Sequence, residues 1–153
     1  MAGEKQETPW PIPMFHFKVT IGDTIGAKGE VAFQEVSGLD TEYDMIEYRA
    51  GNSPEFTTVR MPGLKKHSDI TLKKGMFSGD TTLFDYFSSV KMNTVARVTV
   101  TIQLLDEAHA PLFTWTLKNA FPKKVTGASL NAKTSEAAME ELVLCHEGLT
   151  MSK

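Results

Sequence analysis

A single cysteine, Cys145, stands in the 153 residues of the chain, so no disulfide can form within it and the fold must hold without covalent staples. No apolar run approaches the roughly 20 residues that a membrane-spanning helix needs. The segment ahead of the first strand also lacks the apolar core of a secretory leader, so membrane insertion is not expected and synthesis in the bacterial cytoplasm is. An excess of positive charge is missing too: 19 Asp and Glu oppose 16 Lys and Arg, a formal net charge of −3, which argues against broad, sequence-independent gripping of nucleic acid. There is no internal repeat or low-complexity tract to suggest a second domain. A chain of this length forms one domain that buries about 68–70% of the surface its unfolded form exposes.

Arrangements that chemistry requires are equally scarce. The four histidines, His16, His67, His109 and His146, are scattered and form no His-x-x-x-His or Cys-x-x-Cys ligand pattern. Cys145 and His146 are neighbours, and on a strand neighbours point to opposite faces, so they make no dyad; a small buried thiol is the expected role of Cys145. Gly22, Gly26 and Gly29 with Lys28 fit neither the dinucleotide nor the phosphate-loop spacing, and a strand pattern follows where both motifs need a helix. Ser88 and Lys91 satisfy Ser-x-x-Lys without the partner motifs of that hydrolase class. The adjacent Glu140 and Glu141 read as solvated or interface charges. The basic pairs Lys65–Lys66, Lys73–Lys74 and Lys123–Lys124 have no stacking aromatics interleaved with them, as single-strand binders require, and read as subunit contacts or solvated charge. No catalytic residue, cofactor or metal is therefore expected, and the chain is not read as an enzyme.

What is present is period two. Phe15, Phe17, Val19 and Ile21 alternate with His16, Lys18 and Thr20, the pattern of a strand with one buried face. Val31 and Phe33 continue an extended pattern, Ser37 and Gly38 mark a turn, and residues 41–49 alternate with Ile46 and Tyr48 on one side. Punctuation at residues 50–66 predicts a long hairpin or projecting loop near 42–63. Ile70 and Leu72 make a short strand ending at Gly75. Asp80 suits a helix N-cap, and Leu83, Phe84, Phe87 and Val90 share one helical face, predicting one short helix near 81–90. Val98 to Leu104 and Phe113 to Leu117 alternate as an antiparallel hairpin. Residues 135–145 divide between helix formers and strand formers. Residues 1–13, with Pro9, Pro11 and Pro13, read as a flexible arm, Trp10 as a possible interface anchor and Trp115 as core; the single domain is placed at 14–153.

The EVSGLD at 35–40 and EYRAGN at 47–52, followed by PGLKK at 62–66, ITLKKG at 70–75, QLLDEAHAP at 103–111, WTLKNAFPKKVTG at 115–127 and MEELVLCHEGL at 139–149, resemble the contractile phage tail tube family and its relatives in extracellular injection systems. The resemblance runs from about Phe15 to Leu149 and implies a mainly β fold, a small antiparallel barrel or sandwich with one flanking helix, and a strand at 135–145. It implies a homohexameric ring stacking into a hollow tube inside a contractile sheath, with a baseplate or spike hub and tube-terminating proteins as further partners. Protein or DNA would be the luminal cargo, and the phage tail or injection particle the final location. A tube-initiating or tube-capping protein of the same fold is the alternative. The resemblance places Ser37, Gly38 and Leu39 at a turn, and makes Tyr48, Arg49, Gly51, Asn52 and Pro54 the expected contacts between subunits or rings.

Overall fold

The computed structural model describes residues 11–22, 30–92 and 94–153. The loop glycines Gly26 and Gly29, most of the N-terminal arm and Trp10 lie outside them. Ten strands and one short helix follow in the order β1 (Phe17–Ile21), β2 (Glu30–Val31), β3 (Glu35–Ser37), β4 (Thr41–Tyr48), β5 (Val59–His67), β6 (Ile70–Gly75), α1 (Thr82–Ser88), β7 (Val98–Leu105), β8 (Pro111–Thr126), β9 (Met139–Cys145) and β10 (Gly148–Ser152). The ambiguous segment at 135–145 is resolved as strand from Met139 onward. There Leu142 and Leu144 enter the core while Glu141 and Val143 face out, an alternation that helical geometry would scatter around an axis.

One strand organises the sandwich. β8 is 16 residues long and serves two sheets: its first half pairs with β7 and β10, and its second half pairs with β9. The change of sheet falls at Asn119, whose φ of 52° lies in the left-handed region that asparagine tolerates better than most residues. A polar brace holds the corner. Asn119 Nδ2 donates to Glu147 Oε2 at 2.8 Å, Arg97 donates to Glu147 Oε1, and the Arg97 guanidinium lies over the Phe121 ring at 4.9 Å. β9 and β10 run along β8 in the opposite sense and break at His146–Glu147, level with the corner. Pro122, which has no N–H to donate, sits where the β8–β9 register shifts, the position a sheet allows it.

The hydrogen-bonded order β2-β1-β7-β8-β9-β6-β3 begins and ends on strands joined by residues 32–34. The expected barrel is therefore not closed: the ladder opens between β2 and β3, where chain connectivity replaces strand pairing, and the fold is a sandwich. Val19, Ile21, Val100, Ile102 and Leu117 from one sheet meet Ile70, Leu72, Leu142 and Leu144 from the other. Trp115 packs half-buried on their margin, and Cys145 is half-buried rather than enclosed.

Helix α1 closes one side, and here the sequence reading needs two corrections. Leu83 and Tyr86 are the buried pair, while Phe84 and Phe87 are exposed, because only a narrow i, i+3 stripe of a two-turn helix reaches the sheets. The N-cap is Thr81, which makes no capping bond. Asp80, one residue earlier, accepts from Thr82 N at 3.1 Å and from Thr82 Oγ1. Asp80 is turned inward by Lys74, which continues the core face of β6 and is almost wholly buried, 2.7 Å from Asp80 and 3.0 Å from Glu140. Hydrogen bonds from Lys74 and Thr82 hold the Asp80 carboxyl far below the usual carboxylate range. Burial pulls the Lys74 ammonium down, and its bonds and attraction to Asp80 and Glu140 more than reverse this, leaving it raised.

Two outcomes are expected. Gly38 has φ +92° and an added Cβ would lie 2.1 Å from the Asp69 carbonyl oxygen, so Gly38→Ala should cost at least about 2 kcal/mol in urea denaturation. Lys74→Met strands two carboxylates and should cost about 3–5 kcal/mol, largely recovered by adding Asp80→Asn and Glu140→Leu. The depressed Asp80 carboxyl contributes stability above its unfolded pKa near ~4 and loses it as pH falls, whereas the raised Lys74 contribution holds below pH ~10 and is lost above it. Asp80→Asn should accordingly flatten the acid limb of a stability-against-pH curve.

Candidate assembly interface

The hairpin expected near 42–63 is β4–β5, a two-stranded sheet hydrogen-bonded to neither sheet of the sandwich. Tyr43 lies opposite Lys65 and Met45 opposite Pro62, so Gly63 and Leu64 together face the single residue Asp44, a bulge on β5. β4 itself keeps its two-residue alternation, so Ile46 and Tyr48, with Met61 and Val59 opposite them, form one apolar face, and Tyr43 and Met45 lie on the other. Gly63 lies beneath Ile46 on that face, where a Cβ would come 2.9 Å from the Asp44 carbonyl oxygen and 3.1 Å from Ile46 Cγ1. Glu47 pairs with Arg60 at 3.2 Å on the opposite face, and Lys66 pairs with Asp44 at 2.6 Å toward the base of the hairpin, the latter bond raising the Lys66 pKa.

The apolar face has no cover among the described residues. Exposure there runs from 43% at Met61 to 65% at Val59, and Phe56 beyond it is 96% exposed. An isolated two-stranded hairpin is marginal in water, and a contiguous apolar patch of this kind marks an interaction surface.

The loop at the tip is ordered from inside. Arg49 Nε donates to the Glu55 carbonyl at 3.1 Å and its terminal nitrogen to the Ser53 carbonyl at 3.2 Å, so Arg49 bridges the loop that displays Asn52 and Pro54. Tyr48 is on the apolar face. Gly51 is exposed with no heavy atom within 4 Å of an added Cβ, which leaves it open to an outside contact. Ser37, Gly38 and Leu39 sit at the other end, with Ser37 closing β3 against Thr71 and Leu39 packing on the core margin. The sequence reading put Ile46 and Tyr48 on one side, as the structure does, but did not join Met61 and Val59 to them, because register across a hairpin is not visible along one strand.

At the base of the hairpin His67 and His146 stack at 5.3 Å, and His146 contacts the Ser68 carbonyl at 2.9 Å and the Gly148 carbonyl at 3.2 Å. Burial, followed by the His146 ring and Lys65, lowers the His67 pKa. His16 and His109 form a second edge-on pair at 4.4 Å. Histidines scattered in sequence are thus paired in space, yet no group of three metal-binding side chains occurs among the described residues. The basic pairs are dispersed as well. Lys73 lies between Glu35 and Glu141, Lys123 meets Asp69 at 2.6 Å, and Lys65 lies over Tyr43 at 6.0 Å. What sequence reading took for solvated or inter-subunit lysines are largely intramolecular ion pairs.

Comparison with known proteins identifies the family. Residues 13–150 match the family described as T4-like virus tail tube protein gp19. A chain of the PVC sheath–tube complex of an extracellular contractile injection system, in the extended state, is 36% identical, with TM-score 0.84 over 99% of this chain and 98% of that one. A chain from the tube-terminating cap of the anti-feeding prophage is 33% identical, with TM-score 0.83 over 99% of both. Hcp1 from Flavobacterium johnsoniae shares the fold alone, at 14% identity and TM-score 0.53 over 90% of this chain and 94% of that one. No curated protein matches in sequence.

The bulge geometry carries an expected outcome for the single chain. Gly63→Ala should destabilise the hairpin by about 1–3 kcal/mol because the Cβ displaces Ile46 or the Asp44 carbonyl. Gly51→Ala should stay within about 0.5 kcal/mol of the parent. Amide hydrogen exchange across β4 and β5 separates the two.

Proposed function

This chain belongs to the T4-like virus tail tube protein family, and from that premise we propose that it builds the inner tube of a contractile injection apparatus, in homohexameric rings that stack into a hollow conduit. The observation that carries the reading is the uncovered apolar face of the β4–β5 hairpin. Its area has no partner among the described residues, and a stacked neighbour supplies one in every copy. The free edges of β10, β2 and β3 serve ring closure, since each pairs on one side only. In a lone subunit such edges invite aggregation, and in a closed ring they are used up. The five residues Tyr48, Arg49, Gly51, Asn52 and Pro54 belong to the stacking contact, four by direct apposition and Arg49 by holding the loop in shape.

A sheath protein on the outside and a baseplate hub and terminator at the ends are the partners this role requires. Relatives from a sheath–tube complex, a terminating cap and a baseplate support that set. The role is structural and asks for no cofactor, and the particle, a phage tail or an injection device, is its final location. Residues 1–13 act as an arm ahead of a single domain at 14–153. The second reading, a tube-initiating or capping protein, is favoured by the terminator and cap relatives at 37% and 33% identity. Quantitative mass spectrometry of the intact particle separates the two: a tube subunit is present in many copies, a cap in a few.

The decisive variant is Ile46→Asp with Tyr48→Asp. Both side chains are exposed in the single chain, so melting temperature and circular dichroism should be unchanged, while rings and tubes seen by electron microscopy should disappear. Tubes that form normally from this variant, or a parent protein that stays monomeric at high concentration with initiating proteins present, would refute the reading.

A further inference from the structure

The outward face of the first sheet has a composition that neither solvent exposure nor strand propensity explains. Reading the register across β1, β7, β8 and β10, Thr20 lies opposite Thr101, Thr101 opposite Thr116, and Thr116 opposite Thr150. Four threonines thus form one continuous row across four strands. The adjacent row is Lys18, Gln103, Thr114 and Ser152. Seven of these eight positions carry a neutral hydroxyl or amide. The equivalent two rows on the second sheet are Glu35, Lys73, Glu141 and Thr126, and Ser37, Thr71, Val143 and Lys124, with four charges among eight. Ordinary protein surfaces carry about 25–35% charged residues of both signs. β-Branched threonine satisfies the pleat, but so would alternation with Lys and Glu, which the second sheet uses.

We propose that the threonine face lines the bore of the assembled tube and makes the conduit indifferent to charge, suited to polypeptide cargo whose net charge differs in sign from one molecule to the next. The inference rests on the tube reading above. The rows run from one edge of the sheet to the other, so copies joined edge to edge continue them around the ring. Small side chains suit the concave side of such a ring, where each residue has less room than on the convex side. Helix α1, the ion-paired rows and the exposed Phe84 and Phe87 lie elsewhere on the subunit. A wall that served only a polyanion would gain from uniform negative charge, which repels it from contact; a cationic wall would hold it. A hydroxyl wall does neither and keeps a hydration layer against any passing chain.

Three measurements test this. Electron cryomicroscopy of parent tubes reads directly which face borders the bore; absence of tubes would count against the tube reading, whereas tubes with the threonine rows outside would overturn this inference alone. Thr116→Cys in a Cys145→Ala background should react with a small maleimide in both tubes and dissociated subunits, and with a bulky polyethylene-glycol maleimide only after dissociation. Bulky labelling of intact tubes overturns the proposal. Fluorescent Lys-rich and Glu-rich peptides should be retained equally by parent tubes, within about twofold. Tubes carrying Thr101→Glu and Thr116→Glu should favour the Lys-rich peptide by about tenfold or more, and the corresponding Lys variant should invert the preference. Sign selectivity already present in parent tubes, or preferential retention of single-stranded DNA by them, overturns it.

Discussion

The fold depends on one strand that must belong to two sheets. β8 can do so only by turning sharply without losing its hydrogen-bond partners, and the turn is made at Asn119 in a left-handed backbone conformation. Everything nearby serves that corner: β9 and β10 divide the length of β8 between them, Glu147 at their junction accepts from Asn119 and Arg97, and Arg97 covers Phe121. Because the two sheets diverge from this shared strand, their apolar faces enclose a core, while their far ends, β2 and β3, need only chain connectivity between them. The cost of leaving that end open is a set of unpaired edges, tolerable in a molecule that joins copies of itself.

The hairpin is the other incomplete part. It leaves the sandwich with one face that carries the Glu47–Arg60 ion pair and one apolar face that nothing among the described residues covers. Asp44 pairs with Lys66 beside the bulge that Gly63 and Leu64 make in β5. Register sets Met61 opposite Ile46 and Val59 opposite Tyr48, which gathers these four apolar side chains on one face. Uncovered surface and unpaired edges are thus the same kind of feature: interactions that the single chain leaves incomplete among the described residues.

Charge is handled in two contrasting ways. Around the core margin and the second sheet, lysines and carboxylates are matched pair by pair, and the buried Lys74 with Asp80 and Glu140 pins the start of α1 against β6 and β9. Exposed pairs of this sort contribute little to stability individually. On the outward face of the first sheet, charge is nearly absent. A net charge of −3 for the whole chain therefore describes neither region.

Much of this was legible in the amino-acid order. Strict alternation exposed β1, β7 and the first half of β8, because a two-residue period reports one buried face directly. Punctuation at residues 50–54 located the hairpin tip, and the distributed motifs pointed to the family. The rest required tertiary contacts. Propensity left 135–145 undecided until Leu142 and Leu144 had a core to enter. The helical face was misjudged because a two-turn helix buries only Leu83 and Tyr86. The bulge opposite Asp44, the corner at Asn119 and the threonine row are invisible in a linear reading, since each is a relation between paired strands. Sequence by itself determined which residues alternate and which segments carry the family's motifs; only the tertiary structure decided which faces are covered, because coverage depends on register and register is set by pairing.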